Sequence, residues 1–120
     1  MPQTNLTLLK KNCALHLTHI ENWWLNMLEK DIEKEVCYYA KSKGVLVYKF
    51  TSPARAGVPD RLFIGPDGRM WFIEFKRGGQ KATPAQEREH NRLRSHKVNV
   101  FVVDNVDSGK MVIDMMVMGC

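Results

Sequence analysis

The stretch RLFIGPDGRMWFIEFK, Arg61 to Lys76, decides how this chain folds. Two apolar runs, RLFIG and RMWFIEFK, flank the tight-turn signal Pro66-Asp67-Gly68, and the pattern predicts a β-hairpin. The second arm holds an anomaly. In WFIEFK (71–76) Glu74 and Lys76 lie two apart among large apolar residues, so both project from the same side of a strand. Charges in such a run cost free energy unless something compensates them.

Hairpin geometry suggests the compensation. Asp60 enters the first arm directly after Pro59. A two-residue turn at Asp67-Gly68 sets Asp60 opposite Phe75, whereas one extra, bulged residue sets it opposite Glu74. Directly opposed residues share a face, so only the second register brings the two carboxylates together. The expectation is therefore a bulge, or an Asp60 just outside the regular pleat. Two carboxylates held close repel each other, and a cation between them removes that penalty. Hard oxygen donors with open water positions suit Mg²⁺, with Mn²⁺ able to substitute, rather than zinc. Lys76 on the same face would meet a phosphate or position a water molecule.

Outward from the hairpin, helices and strands alternate. Trp24, Met27, Leu28, Ile32, Val36, Tyr39 and Ala40 follow helical spacing over 22–42, with Lys41 and Lys43 at the negative end and Gly44 as the stop. VLVYKF (45–50) is a short strand and TSPARAGVPD (51–60) a loop. After the flexible RGGQKA, the run TPAQEREHNRLRSHK opens a helix with Thr83 as N-cap, Pro84 at its first position and Gln86 three after the cap. VNVFVVD (98–104) is a buried β-branched strand, and 106–118 a final helix with a Met-rich apolar face. The order predicts an α/β domain with a mixed sheet.

Bulk properties narrow the class. A chain of 120 residues holds one core, and 44% hydrophobic with 26% charged residues is ordinary for a globular protein. No run is long enough for a transmembrane helix, and the polar start MPQTNLT lacks a signal peptide's layout, so a cytoplasmic location is expected. Cys13, Cys37 and Cys120 have no CxxC spacing, which argues against a disulfide framework. Net charge is +5, and the segment from Lys76 to Lys97 accounts for all of it, with seven basic residues against two acidic ones. One basic stripe on an otherwise neutral chain fits a polyanionic partner, most simply nucleic acid, or else a well-solvated helix face.

From Glu29 to Asp104 the chain resembles the virus-type replication-repair nuclease (VRR-NUC) domains, a branch of the PD-(D/E)XK nuclease superfamily. EKDIEKEVCYYAKSKG, SPARAGVPDRLFI, FIEFKRGGQKATPAQ and VFVVD carry the resemblance, in that order and with tight spacing. It implies a restriction-endonuclease-like core: a helix, a three-stranded antiparallel sheet, a helix, a further strand and a C-terminal helix. Residues 27–120 would form the nuclease domain and residues 1–26 an N-terminal arm or helical extension. The resemblance makes Asp60 and Glu74 metal carboxylates, Lys76 the catalytic lysine and the Phe75 carbonyl a further metal donor. Gln86 matches a motif residue, although its place in the helix also makes it a capping-box partner. Glu33 would complete the site, with Glu29 one turn earlier as the alternative.

The implied activity is Mg²⁺-dependent hydrolysis of DNA phosphodiesters, in repair or replication, by a phage protein in a bacterial host cell. Stand-alone relatives resemble junction resolvases that work as homodimers, and the Met-rich stripe of 106–118 would be either core packing or that dimer interface. The rivals are a flap or fork nuclease, a nickase, a DNA-binding module that does not cleave, and an assembly subunit whose basic stripe meets an acidic protein. Arg55 and Arg61, flanking the Asp60 loop, and Arg77, Lys81, Arg88 and Arg92 are the candidate DNA contacts. His90 and His96 in the basic helix would touch phosphate or water. Cys13, His16 and His19, spaced by three, form a weak zinc candidate without an evident fourth ligand.

Overall fold

The computed structural model describes residues 28–119. Along these residues run α1 (Glu29–Ser42), β1 (Leu46–Lys49), β2 (Arg61–Ile64), β3 (Met70–Phe75), α2 (Pro84–Ser95), β4 (Asn99–Val103) and α3 (Val106–Met118). The strands form one sheet in the order β1-β2-β3-β4. β1, β2 and β3 pair antiparallel, and β4 joins β3 in parallel across the α2 crossover. This is the mixed α/β architecture expected from the sequence. The N-terminal arm and the Cys13, His16, His19 set lie outside the described residues, as does Cys120.

The turn between β2 and β3 fixes the register. The Gly65 N–H donates to the Arg69 carbonyl (2.8 Å) and the Gly68 N–H to the Gly65 carbonyl (2.9 Å). Gly68 takes a left-handed φ of 90°, where a side chain would be strained. The loop therefore contains Pro66, Asp67 and Gly68, one residue more than a tight two-residue turn. That extra residue sets Arg61 against Ile73 and Phe63 against Trp71. Continuing the same pairing places Asp60 across from Glu74, just before β2 begins.

The two faces of β3 then have different fates. Trp71, Ile73 and Phe75 point into the main core, among Ile32, Val36, Phe63, Val103 and Ile113. α1 and α3 cover this side and pack on each other. Their approach is close at Gly109, where an added Cβ would stand 2.4 Å from Val36 Cγ2. Phe72 and Glu74 project from the other side, where α2 packs. Arg94 of α2 donates from Nε and Nη2 to the Val100 carbonyl (3.2 and 2.7 Å), tying that helix to β4.

Val112, Ile113 and Met116 of α3 are buried and Met115 packs against them, so most of the Met-rich stripe is core. What remains outside is the end of the helix, with Val117 39% and Met118 73% exposed. Among the described residues no helix is long and apolar enough to cross a membrane.

Gly109→Ala should lower stability by about 1–3 kcal/mol, the usual range for overpacking. Val36→Ala opens the space that the new methyl group needs. Urea melts of both single variants and the double variant should show the pair less destabilised than the sum of its parts. Strict additivity would show that the helices do not meet at this point.

Candidate functional site

The sheet presents its unusual charges at one end of β2 and β3. Asp60 is half-buried after the fully buried Pro59, and its carbonyl accepts from the Phe50 N–H (2.7 Å). Glu74 is only 3% exposed. The two carboxyl groups are close enough to share a hydrogen bond. Burial, then the hydrogen bond to Asp60 and its charge, push the Glu74 carboxyl up to about 8, while Lys76 pulls it the other way. Glu74 Oε1 is buried with no hydrogen-bond partner.

The loop carrying Asp60 is fastened to α2. Gly57 (φ 81°) lies so close to that helix that an added Cβ would be 2.5 Å from the Ala85 carbonyl oxygen. Arg55 pairs with Glu89 of α2 at 2.9 Å. α2 itself starts with a complete capping box: Gln86 N–H donates to Thr83 Oγ1 (3.2 Å) and Thr83 N–H donates to Gln86 Oε1 (2.9 Å). Gln86 thus serves the helix start through its side-chain oxygen, and its amide nitrogen is the group left for a motif role.

On α1 the structure separates two carboxylates that spacing leaves equivalent. Glu33, the expected member of the site, is ion-paired and hydrogen-bonded to Arg61. Glu29, one turn earlier, is the α1 carboxylate that Glu74 feels. Burial raises the Glu29 pKa, with the Asp60 charge adding to it and Lys76 opposing it. Of the two, Glu29 is thus the one coupled electrostatically to Asp60, Glu74 and Lys76, while Glu33 is paired with Arg61. Phe75 has its side chain in the core, so only its carbonyl could serve a metal.

The candidate DNA contacts also divide. Arg55, Arg88 and Arg92 line one cleft together with Ala54, Ala56, Ala85 and Glu89. Arg61 is drawn to Glu33 and lines a separate groove along α1 with Lys30, Lys34 and Lys41. Arg77 and Lys81 are exposed in the loop after β3. His96 stays at the surface, near Ser95 and the Arg92 carbonyl. His90 does not: it is 1% exposed, with Nε2 3.8 Å from Glu74 Oε1. A surface role for His90 is therefore corrected to an interior one. The signal lay in its place on the helix line of Gln86 and Leu93, which faces the sheet. Cys37 is a free, buried thiol pushed up to about 11 by burial, the condition of a packing residue rather than a nucleophile.

The donor set fits a hard divalent cation. Two carboxylates forced together gain from a positive charge between them, and the orphaned Glu74 Oε1 supplies an unused acceptor. Among the described residues no three His, Cys, Asp or Glu side chains group as metal ligands. Hard carboxylate oxygens are the donor type that suits Mg²⁺ or Mn²⁺.

Over 79 residues the chain is 46% identical to the protein named "Putative nuclease p44" of Acyrthosiphon pisum secondary endosymbiont phage 1, covering 66% of this chain and 85% of that one. A solved structure described as a VRR_NUC domain superposes with a TM-score of 0.67 at 37% identity, over 72% of this chain and 94% of that chain. The chain belongs to the VRR-NUC family. A solved VRR_NUC domain protein, at 20% identity and a TM-score of 0.59 over 76% of this chain and 88% of its own, shares the fold. No family model matches the sequence. Within this VRR-NUC chain the PD and EFK motifs are the residues that the hairpin register gathers.

The raised Glu74 carboxyl has a measurable sign. Its proton is held more tightly in the folded chain than in the unfolded one, so the associated stability is present below about pH 4.5 and is lost as pH rises through about 8. Glu74→Gln removes both the charge and the titration. In EDTA, the variant's stability advantage over the parent should grow from pH 5 to pH 8. An advantage that shrinks with rising pH would contradict the burial of this carboxyl.

Proposed function

We propose that this VRR-NUC nuclease is a Mg²⁺-dependent endonuclease that hydrolyses DNA phosphodiesters and selects branched or otherwise structured DNA. The observation that carries the reading is the close pair of half-buried Asp60 and buried Glu74, with an orphaned carboxylate oxygen, under the charge of Lys76. Asp60, Glu74 and the Phe75 carbonyl would hold the cation, with Glu29 adjoining, and Mn²⁺ would substitute. When bound, such a cation polarises a phosphate and lowers the pKa of water. Lys76, whose charge acts on both Glu74 and Glu29, stabilises charge developing on the phosphate or orients the attacking water. Products would carry 5′-phosphate and 3′-hydroxyl ends.

DNA recognition falls to the arginines. Arg88 and Arg92 present their charges in the cleft beside Arg55, and Arg77 and Lys81 extend the positive surface from the end of β3. Phosphate contacts of this kind hold a backbone in register without reading sequence. Paired cuts across a four-way junction need two sites, so a homodimer is part of the proposal. With α3 mostly internal, such an interface would lie elsewhere than the Met-rich stripe. The setting would be phage DNA replication or repair in the host cytoplasm. A flap or fork nuclease or a nickase is the alternative substrate choice, and the complete Asp60, Glu74, Lys76 trio argues against a module that only binds.

Labelled four-way junction, flap and linear duplex incubated with the protein should be cut in Mg²⁺ and left whole in EDTA, the junction fastest. Asp60→Ala and Lys76→Ala should each slow cutting by about 10²-fold or more, the scale of losing one transition-state contact, while still retarding DNA in gels. Binding without cleavage on every substrate and metal would sink the enzyme reading. Mass in solution decides the dimer.

A further inference from the structure

Two buried polar atoms in this protein have no hydrogen-bond partner, among the described residues: Glu74 Oε1 and His90 Nε2. They face each other. The separation is 3.8 Å, and both side chains are almost fully buried, His90 at 1% and Glu74 at 4% side-chain exposure. Leaving such groups unsatisfied is costly, and native folds rarely do it without reason. An imidazole nitrogen can carry a proton and donate it, and a carboxylate oxygen accepts such a bond, so the two orphaned atoms are chemically complementary.

We infer that His90 is a positioning residue for Glu74: its Nε2–H donates to the Glu74 carboxylate and holds that oxygen pair in the orientation that receives the cation. This deepens the proposed function and rests on it. The separation exceeds an N–H···O⁻ bond by roughly 1 Å. A small turn of the Glu74 side chain, as its partnership with Asp60 is exchanged for a cation, closes that gap. The placement follows from the fold. α2 begins rigidly at its capping box and is fastened to β4 by Arg94, so His90 is delivered to the Glu74 face of β3. An outer partner of this kind fixes which lone pair of a ligating carboxylate points inward, and losing one typically weakens metal binding 10–100-fold.

His90→Gln keeps an N–H donor near the Nε2 position, whereas His90→Leu keeps the bulk and removes the donor. Titration calorimetry with Mn²⁺ alone, without DNA, should show His90→Leu binding about tenfold or more weakly, and His90→Gln within about threefold of the parent. Equal metal affinity in all three proteins would reduce His90 to core filler. If the parent binds neither Mn²⁺ nor Mg²⁺, the functional reading itself fails, and that outcome is distinct. A measurement on the unaltered chain covers the case where the variants do not fold. Nitrogen NMR of His90 should show a proton on Nε2 whose signal shifts when Mg²⁺ is added. A proton on Nδ1 in the Mg²⁺-loaded protein would overturn the inference.

Discussion

Two carboxyl groups held close together in a partly buried place cannot both be charged cheaply, and the rest of this structure is arranged around such a pair, Asp60 and Glu74. Asp60 lies just before β2 and Glu74 lies in β3, and only one hairpin register lets them meet. That register depends on a single additional residue in the turn, made possible by the left-handed Gly68. Shifting the pairing by one residue would exchange the faces of every side chain in β3 and send Glu74 into the core. The same register that buries Trp71, Ile73 and Phe75 therefore also builds the site. Stability and chemistry are not separable here: the core packs well only when the carboxylates collide.

α2 is the second organising element. It meets the sheet through Arg94, the Asp60 loop through Glu89 and the close approach of Ala85 to Gly57, and the site through His90. Each contact restricts a different degree of freedom of the carboxylate pair. Glu89, 8% exposed and paired with Arg55, fastens the loop that ends in Asp60, and His90 bounds the space of Glu74. A helix whose sequence reads as a basic surface is therefore also the frame that holds two acids in place.

How far the sequence discloses this varies with the kind of information each feature needs. The order of elements was legible because hydrophobic period, caps and turn residues are local. So was the choice between two hairpin registers, since Pro66, Asp67 and Gly68 limit the turn to two lengths. Glu29 and Glu33 cannot be told apart in the sequence, because residues four apart share a helix face and only the tertiary structure shows that Glu33 is the one paired with Arg61. His90 sits in the basic helix, where contact with phosphate or water is the expectation, although its helical phase with Gln86 and Leu93 points inward. The Met-rich stripe of α3 had two readings, and the crossing at Gly109 explains why most of it is internal: with no side chain there, α3 sinks against α1 until Val112, Ile113 and Met116 are covered.

The basic stripe shows why formal charge overstates what a partner meets. Arg94 is turned back onto the Val100 carbonyl, and outside the stripe Arg55 and Arg61 are paired with Glu89 and Glu33. These guanidinium groups hold the protein together. Arg77 and Lys81 are exposed in the loop after β3, and Arg88 and Arg92 line the cleft beside Arg55. A phosphate backbone drawn to these side chains would approach the Asp60–Glu74 pair, where burial and the Asp60 charge favour a protonated Glu74. In the proposed reading electrostatics would link the two binding events: the arginines would attract DNA, and a cation held between Asp60 and Glu74 would offset the repulsion of an ionised pair toward the scissile phosphate.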